Sequence, residues 1–132
     1  MIAVCVKWID AGPLPGLSAA DEAAIEIALR HGASGGGAVI AVTVGGPAAD
    51  GGLRIALACG VTTAIRVAAP DDLDSAVVAD ALAPVVAHST AVWCGDYSAD
   101  RGTGSVPAFL AARLQRQQAL GLVDVEIGRA HV

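Results

Sequence analysis

Short apolar runs alternate along the chain with segments whose apolar residues have helical spacing, and this alternation restricts the fold more than any other feature. The clearest run, residues 39–44, is rich in β-branched side chains and is flanked by glycines. Neighbouring segments repeat apolar residues at intervals of three and four. Strands that alternate with helices predict an α/β domain built on a parallel sheet, and right-handed crossovers leave few topologies for it.

The periodicity divides residues 1–132 into five strands and four helices of a single domain. The predicted strands are residues 2–6, 39–44, 64–68, 89–94 and 122–127. The predicted helices start after an N-cap at Ser18 and at residues 48, 73 and 106, with the apolar positions Val77, Val78, Ala81, Leu82 and Val85 on one face of the third. We therefore predict a doubly wound parallel five-stranded sheet with helices on both faces. With the strand order 3-2-1-4-5, ligands bind between strands one and four, where the order reverses.

The composition agrees with this architecture and excludes one class of partner. Hydrophobic residues make up 55% of the chain but aromatic residues only 3%, so small aliphatic side chains must form the core. This composition suits parallel strands that are buried on both faces. The net charge is −5, and the 8 Lys and Arg residues are scattered, so nucleic acid is not an expected partner.

The cysteines and the N-terminus indicate the compartment. Cys5, Cys59 and Cys94 are odd in number and far apart, which fits neither a disulfide framework nor a metal site, so buried thiols are expected. The first apolar run is too short for a signal peptide or a membrane span, and no basic leader precedes it. We therefore expect a cytoplasmic protein without membrane insertion.

The loop after the fourth strand, residues 95–105, has the composition of an anion site. It ends at a helix N-terminus, where unpaired N–H groups and the helix dipole favour a phosphate. Gly102 and Gly104 allow a close approach of the backbone, and Ser98, Thr103 and Ser105 offer hydroxyl donors. The alternative is an ordinary turn, since such loops are common and Asp96 and Asp100 repel an anion.

Other polar and aromatic residues near the predicted strand ends have two interpretations each. Lys7 either neutralises a phosphate or is a solvated surface charge. Trp8 and Trp93 either flank an adenine or pack in the core. His31, His88 and His131 have no nucleophilic or acidic partner at a catalytic spacing, so we expect surface histidines and no catalytic residues.

Several motifs in order resemble the beta subunit of electron-transfer flavoproteins, in its actinobacterial type with a short phosphate loop. They are the opening Val4-Cys5-Val6-Lys7, the segment from Leu17 to Leu29 around Asp21-Glu22-Ala23-Ala24-Ile25-Glu26, the stretch Val42-Thr43-Val44-Gly45-Gly46-Pro47 with Leu53-Arg54-Ile55-Ala56-Leu57-Ala58-Cys59-Gly60, and the loop from Gly95 to Pro107. Residues 18–20 depart from the family's Asn-Pro-Phe, which weakens the correspondence at the adenine side.

The resemblance implies a Rossmann-like fold of the adenine nucleotide alpha hydrolase type and an electron carrier, not an enzyme. In this family the beta subunit binds AMP structurally and forms a heterodimer with an alpha subunit. The alpha subunit holds the redox-active FAD, and the pair passes electrons from dehydrogenases to an acceptor. Bifurcating relatives place FAD where others place AMP. The family's beta subunit is roughly twice this length, so the chain corresponds to its N-terminal, nucleotide-binding half.

The resemblance also assigns the nucleotide contacts to particular residues. They are Cys5, Ser18, Ala19, Ala20, Asp21, Val44, Gly95, Asp96, Tyr97, Ser98, Ala99, Asp100, Arg101, Gly102 and Thr103, to which the phosphate argument adds Lys7 and Gly104. The alternative function is a stand-alone adenine-nucleotide-binding protein of the universal stress protein type, although the loop lacks the glycine order of that class. An ATP pyrophosphatase is disfavoured because its Ser-Gly-Gly-x-Asp-Ser loop does not follow the first strand.

Overall fold

Strands and helices alternate in the computed structural model as the sequence predicts. The structure describes residues 1–10, 15–70, 73–95, 105–119, 124–126 and 129–131. The elements are β1 (Ile2–Cys5), α1 (Ala19–His31), β2 (Val39–Gly45), α2 (Asp50–Cys59), β3 (Thr63–Ala68), α3 (Ser75–Val86), β4 (Ala91–Cys94), α4 (Val106–Leu114), β5 (Asp124–Glu126) and β6 (Arg129–His131). A π-helical turn, Gly32–Gly36, follows α1, and a 3-10 turn, Pro47–Ala49, precedes α2.

The first four strands form one parallel sheet in the order β3-β2-β1-β4. This part of the predicted order is confirmed. The chain leaves β1 toward β2 and β3 on one side and returns to place β4 on the other side. The strand order therefore reverses between β1 and β4, and in doubly wound sheets ligands bind beyond the strand ends at such a position.

The predicted fifth parallel strand is not found in this sheet. Residues 124–126 form β5, but β5 pairs antiparallel with β6 in a separate two-stranded sheet. The local sequence explains the difference, because alternating polar and apolar residues suit an antiparallel pair with one exposed face. Parallel sheets instead bury both faces of each strand.

Helices cover both faces of the four-stranded sheet, as predicted. On one face, α1 and α2 pack against alternate residues of β1 and β2. On the other face, α3 and α4 pack against the intervening residues. Every residue of β1 is buried, so its continuous apolar sequence is that of a central strand.

The apolar face predicted for α3 is confirmed in part, since Leu82 is buried and Val78 and Val85 pack against the same core. Its buried residues are Ala79, Leu82 and Val86, whereas Val77 is 43% exposed. Val86 lies four residues after Leu82, so these side chains share one side of the helix. The composition of α3 is apolar nearly all round, which is why its sequence alone did not define the buried face.

None of the helices within the described part of the chain is both long and apolar enough to cross a membrane.

Candidate functional site

The carboxyl ends of β1 and β4 lie side by side at the point where the strand order reverses. Cys5 at the end of β1 pairs with Cys94 at the end of β4. The segments that follow the two strands therefore start at the same edge of the sheet. Lys7 and Gly95 belong to these segments, so the structure brings together two of the predicted site residues that are distant in sequence.

The first turn of α1 adds a buried carboxylate to this edge. Ser18 caps the helix, since its Oγ accepts a hydrogen bond from the backbone N–H of Asp21 at 3.1 Å. Both residues are only 7% exposed. In a reciprocal capping box the third helical residue reaches back to the N-cap. Here the Asp21 carboxylate instead accepts a hydrogen bond from the backbone N–H of Lys7 at 2.7 Å.

Asp21 also binds the end of β4, because the backbone N–H of Gly95 donates a hydrogen bond to the same carboxylate. The two chain segments after β1 and β4 are thus joined through one side chain of α1. Two backbone N–H groups of half-buried residues thus share this single carboxylate as their acceptor.

Gly95 is required at its position by the closeness of α1. A Cβ atom at residue 95 would lie 2.4 Å from Oδ1 of Asp21. It would also lie 3.0 Å from the backbone carbon of Ala20 and from the backbone nitrogen of Asp21. Because backbone atoms cannot rotate away, only glycine fits here without a shift of the helix or the loop.

Burial raises the pKa of Asp21 from its ordinary value of 3.8 to about 6. The hydrogen bonds from the N–H groups of Lys7 and Gly95, together with the positive charge of Lys7, act in the opposite direction and offset part of this shift. Burial therefore disfavours the charged carboxylate more strongly than Lys7 and Gly95 favour it.

The end of β2 is fixed by an arginine of the neighbouring strand. Arg66 of β3 donates one hydrogen bond to Oδ1 of Asp50 at 2.8 Å and another to the carbonyl oxygen of Gly45 at 3.1 Å. Val44, a predicted nucleotide contact, precedes Gly45 and is half-buried. Its side chain packs with the cluster under α3 and α4, so β2 contributes an apolar wall at this point.

The N-terminus of α4 was predicted to offer a hydroxyl of Ser105 to a phosphate. The structure gives this hydroxyl a protein partner, because Ser105 Oγ donates to Ser75 Oγ of α3 at 2.7 Å. Ser105 makes no side-chain cap of its own helix. The contact ties the starts of α3 and α4 together.

The two tryptophans occupy different places. Trp8 lies against the start of α2, where a Cβ atom at Gly51 would meet its ring at 2.6 Å. Trp93 packs on the cluster under α1 and α2, and its indole N–H donates to Nδ1 of His31 at 3.3 Å. Packing is thus the role seen for both rings. His31 is half-buried in this contact, whereas His88 is exposed as predicted.

The structure describes some of the predicted site residues and not others. Cys5, Lys7, Ser18, Asp21 and Gly95 gather at the ends of β1 and β4 and the first turn of α1. Ala19 and Ala20 belong to that same turn. The loop residues Asp96, Tyr97, Ser98, Ala99, Asp100, Arg101, Gly102, Thr103 and Gly104 lie outside the described residues, so their predicted contacts with a phosphate stay predictions.

The cysteines differ most from expectation. Cys59 is exposed on α2, not buried as predicted. Cys5 and Cys94 are opposite each other on neighbouring strands. This proximity agrees with the predicted strand order, which places the ends of the first and fourth strands side by side. Within the described ranges no group of three or more His, Cys, Asp or Glu residues is arranged to hold a metal ion.

Together, the fold and the site define a doubly wound α/β domain whose strand order reverses beside a cluster of polar backbone and side-chain groups. The family model of the electron transfer flavoprotein domain matches residues 10–132, and the chain belongs to that family. Comparison with curated proteins gives no significant match. The family expected from the sequence motifs is thus confirmed, while the beta subunit and the actinobacterial type stay predictions.

Proposed function

We propose that the chain is the nucleotide-binding part of an electron-transfer flavoprotein beta subunit. It binds AMP as a structural ligand and pairs with an FAD-holding alpha subunit, which passes electrons from dehydrogenases to an acceptor. The observation that carries the proposal is the junction of β1, β4 and α1 through Asp21, at the ligand position of a doubly wound sheet, in a chain of this family.

The described residues have a donor and acceptor set that fits AMP. The Asp21 carboxylate accepts hydrogen bonds, and each of its oxygens can accept more than one, which suits the hydroxyl groups of a ribose. Lys7 supplies the positive charge that a phosphate needs beside this carboxylate. Val44 supplies apolar surface of the kind an adenine packs against. The remaining phosphate contacts fall on residues 95–104, by the resemblance given above.

In this proposal AMP takes no part in electron transfer. FAD supplies the redox chemistry, and this chain's residues serve to hold a nucleotide and shape a surface for the alpha subunit. A ligand that binds only the folded chain stabilises it by mass action, by about 2.7 kcal/mol at a hundredfold excess over Kd. If the complex is of the bifurcating type, FAD takes the place of AMP at the same residues.

The competing function, a universal-stress-type nucleotide-binding protein, needs the same strand ends but no alpha subunit. The family match favours the electron carrier. Because proteins of this family are electron carriers, we also propose that the chain has no residues that catalyse a reaction on a dehydrogenase substrate.

We expect AMP to bind the chain and Lys7 to contribute to its affinity. Lys7→Gln removes the positive charge beside the site, so the Kd for AMP should rise about tenfold, as expected for loss of a hydrogen bond to a charged group. Isothermal titration calorimetry with AMP, ADP, ATP and FAD measures these affinities. Arg54→Gln is the matched control, because Arg54 is an exposed cation on α2 and its loss should leave Kd unchanged. No binding of any of the four nucleotides at millimolar concentration would contradict the proposal.

The electron-carrier role is tested with the alpha subunit present. We expect the purified chain alone to be colourless and its complex with an alpha subunit encoded beside it to be yellow and reducible. Flavin absorbance and dehydrogenase-dependent dye reduction are recorded for both samples. A complex without flavin, or a lone chain that a dehydrogenase reduces, would overturn the assignment while leaving nucleotide binding to be judged by calorimetry.

A further inference from the structure

Two cysteine thiols lie opposite each other at the junction of β1, β4 and α1. Cys5 is the last residue of β1 and Cys94 the last residue of β4, and the register of the parallel pair sets them opposite one another. Both side chains point to the face covered by α3 and α4. Each thiol therefore lies beside the other, and Cys94 is the leading cause that raises the pKa of Cys5.

The backbone spacing of this pair is compatible with a covalent bond. Neighbouring strands of a sheet lie about 4.8 Å apart. The Cα atoms of a disulfide are usually separated by about 4.4–6.8 Å, so residues on paired positions fall inside this range. Bond formation therefore requires rotation of the side chains and no separation of β1 from β4.

The two thiols differ in their access to solvent. Cys5 is 7% exposed, whereas Cys94 is half-buried at the open edge of the sheet. The hydrogen bond with Cys94, burial, and the negative charges of Cys94 and Asp21 all raise the pKa of Cys5. Cys5 therefore stays a thiol, and an oxidant from solvent meets Cys94 first.

We propose that Cys5 and Cys94 form a redox-active dithiol that a hydroperoxide oxidises to a disulfide between β1 and β4. The Cys94 thiolate attacks the peroxide oxygen, which gives a sulfenic acid at Cys94 and releases hydroxide or an alkoxide that takes a proton from water. The sulfur of Cys5 then attacks the Cys94 sulfur, and water leaves with the thiol proton. Overall, two thiols lose two hydrogen atoms and the peroxide is reduced by two electrons. A dithiol reductant reverses the change by exchange.

The experiment uses the full chain carrying Cys59→Ser, because the exposed Cys59 would otherwise form bonds between chains. The folded protein is treated with a small excess of hydrogen peroxide, the remaining thiols are alkylated in denaturant, and tryptic peptides are analysed by mass spectrometry without reduction. Trypsin leaves Cys5 in residues 1–7 and Cys94 in residues 67–101. We expect these two peptides joined, with a mass lower than their sum by two hydrogen atoms, and separated again by dithiothreitol.

Two further samples show which cysteine reacts with the peroxide and whether the cross-link depends on the folded structure. In Cys5→Ser with Cys59→Ser, Cys94 should stop at the sulfenic acid and be trapped by dimedone. The Cys59→Ser chain treated in urea should cross-link much more slowly than the folded one, because the fold supplies the proximity. The proposal would be overturned if Cys5 and Cys94 could still be alkylated after the treatment, or if Cys94 were oxidised to a sulfinic acid without the cross-link. It would also be overturned if the cross-link formed as fast in urea as in the folded chain.

Discussion

Replacing Gly95 with alanine is expected to lower the free energy of unfolding by about 3 kcal/mol, the upper range for overpacking a close contact. The added Cβ atom would lie 2.4 Å from Oδ1 of Asp21 and 3.0 Å from backbone atoms of α1. The contact with the carboxylate can be relieved only by moving Asp21, which would break the hydrogen bonds that it accepts from the backbone. The contacts with the helix backbone can be relieved only by moving α1 or the end of β4.

Gly16→Ala is the matched control, because a Cβ atom at Gly16 would have no neighbour within 4 Å. This variant should change the free energy of unfolding by less than about 1 kcal/mol. Urea denaturation followed by circular dichroism measures both variants against the parent chain. Equal stabilities of the Gly95→Ala and Gly16→Ala chains would mean that the end of β4 does not pack on α1 as described.

The sheet follows from the sequence because its strands are determined by local patterns. The continuous apolar sequence of β1 and the β-branched β2 indicate buried parallel strands, and both are found as such. The N-cap at Ser18 was equally predictable, since a serine three residues before an acidic residue marks a helix start. In each case a few neighbouring residues carry the whole signal.

Features that depend on the partner of an element were harder to predict. Residues 124–126 have a strand pattern, but only the antiparallel partner, β6, determines which sheet they join. Val77 was wrongly placed on the buried face of α3 because that helix is apolar nearly all round, so the sheet beneath it decides which side is covered. Local patterns indicate that an element exists but not what it packs against.

The candidate site lies between these two cases. Its location follows from the strand order, and most of its described residues were named from the sequence. The role of Asp21 was not predicted from the sequence. Its carboxylate accepts hydrogen bonds from Lys7 and Gly95, and these three residues belong to separate segments of the chain. The acidic residue in the first turn of a helix indicates only a favourable dipole interaction. A long-range contact of this kind has no signature in the local sequence.

Protonation of Asp21 is expected to follow a midpoint near pH 6. Burial raises its pKa from 3.8 to about 6, so the folded chain holds this proton more tightly than the unfolded chain does. The resulting stabilisation is fully present below pH 3.8 and is lost as the pH rises through about 6. A shift of about two pKa units corresponds to roughly 3 kcal/mol. The chemical shift of the carboxyl carbon in a carbon-13 NMR titration gives the midpoint directly.

The same titration should appear in the stability difference between the parent chain and Asp21→Asn, which carries no charge at residue 21 at any pH. The amide has one acceptor oxygen where the carboxylate has two, so the variant has a constant cost that does not depend on pH. Relative to this variant, the parent chain should lose about 2 kcal/mol of unfolding free energy between pH 4 and pH 7. Glu22→Gln, an exposed change in the same helical turn, should show a difference below about 0.5 kcal/mol over that range. Urea denaturation at each pH measures the three chains. A difference between the parent chain and Asp21→Asn that stays flat from pH 4 to pH 7 would contradict the burial of a charged carboxylate at the junction of β1, β4 and α1.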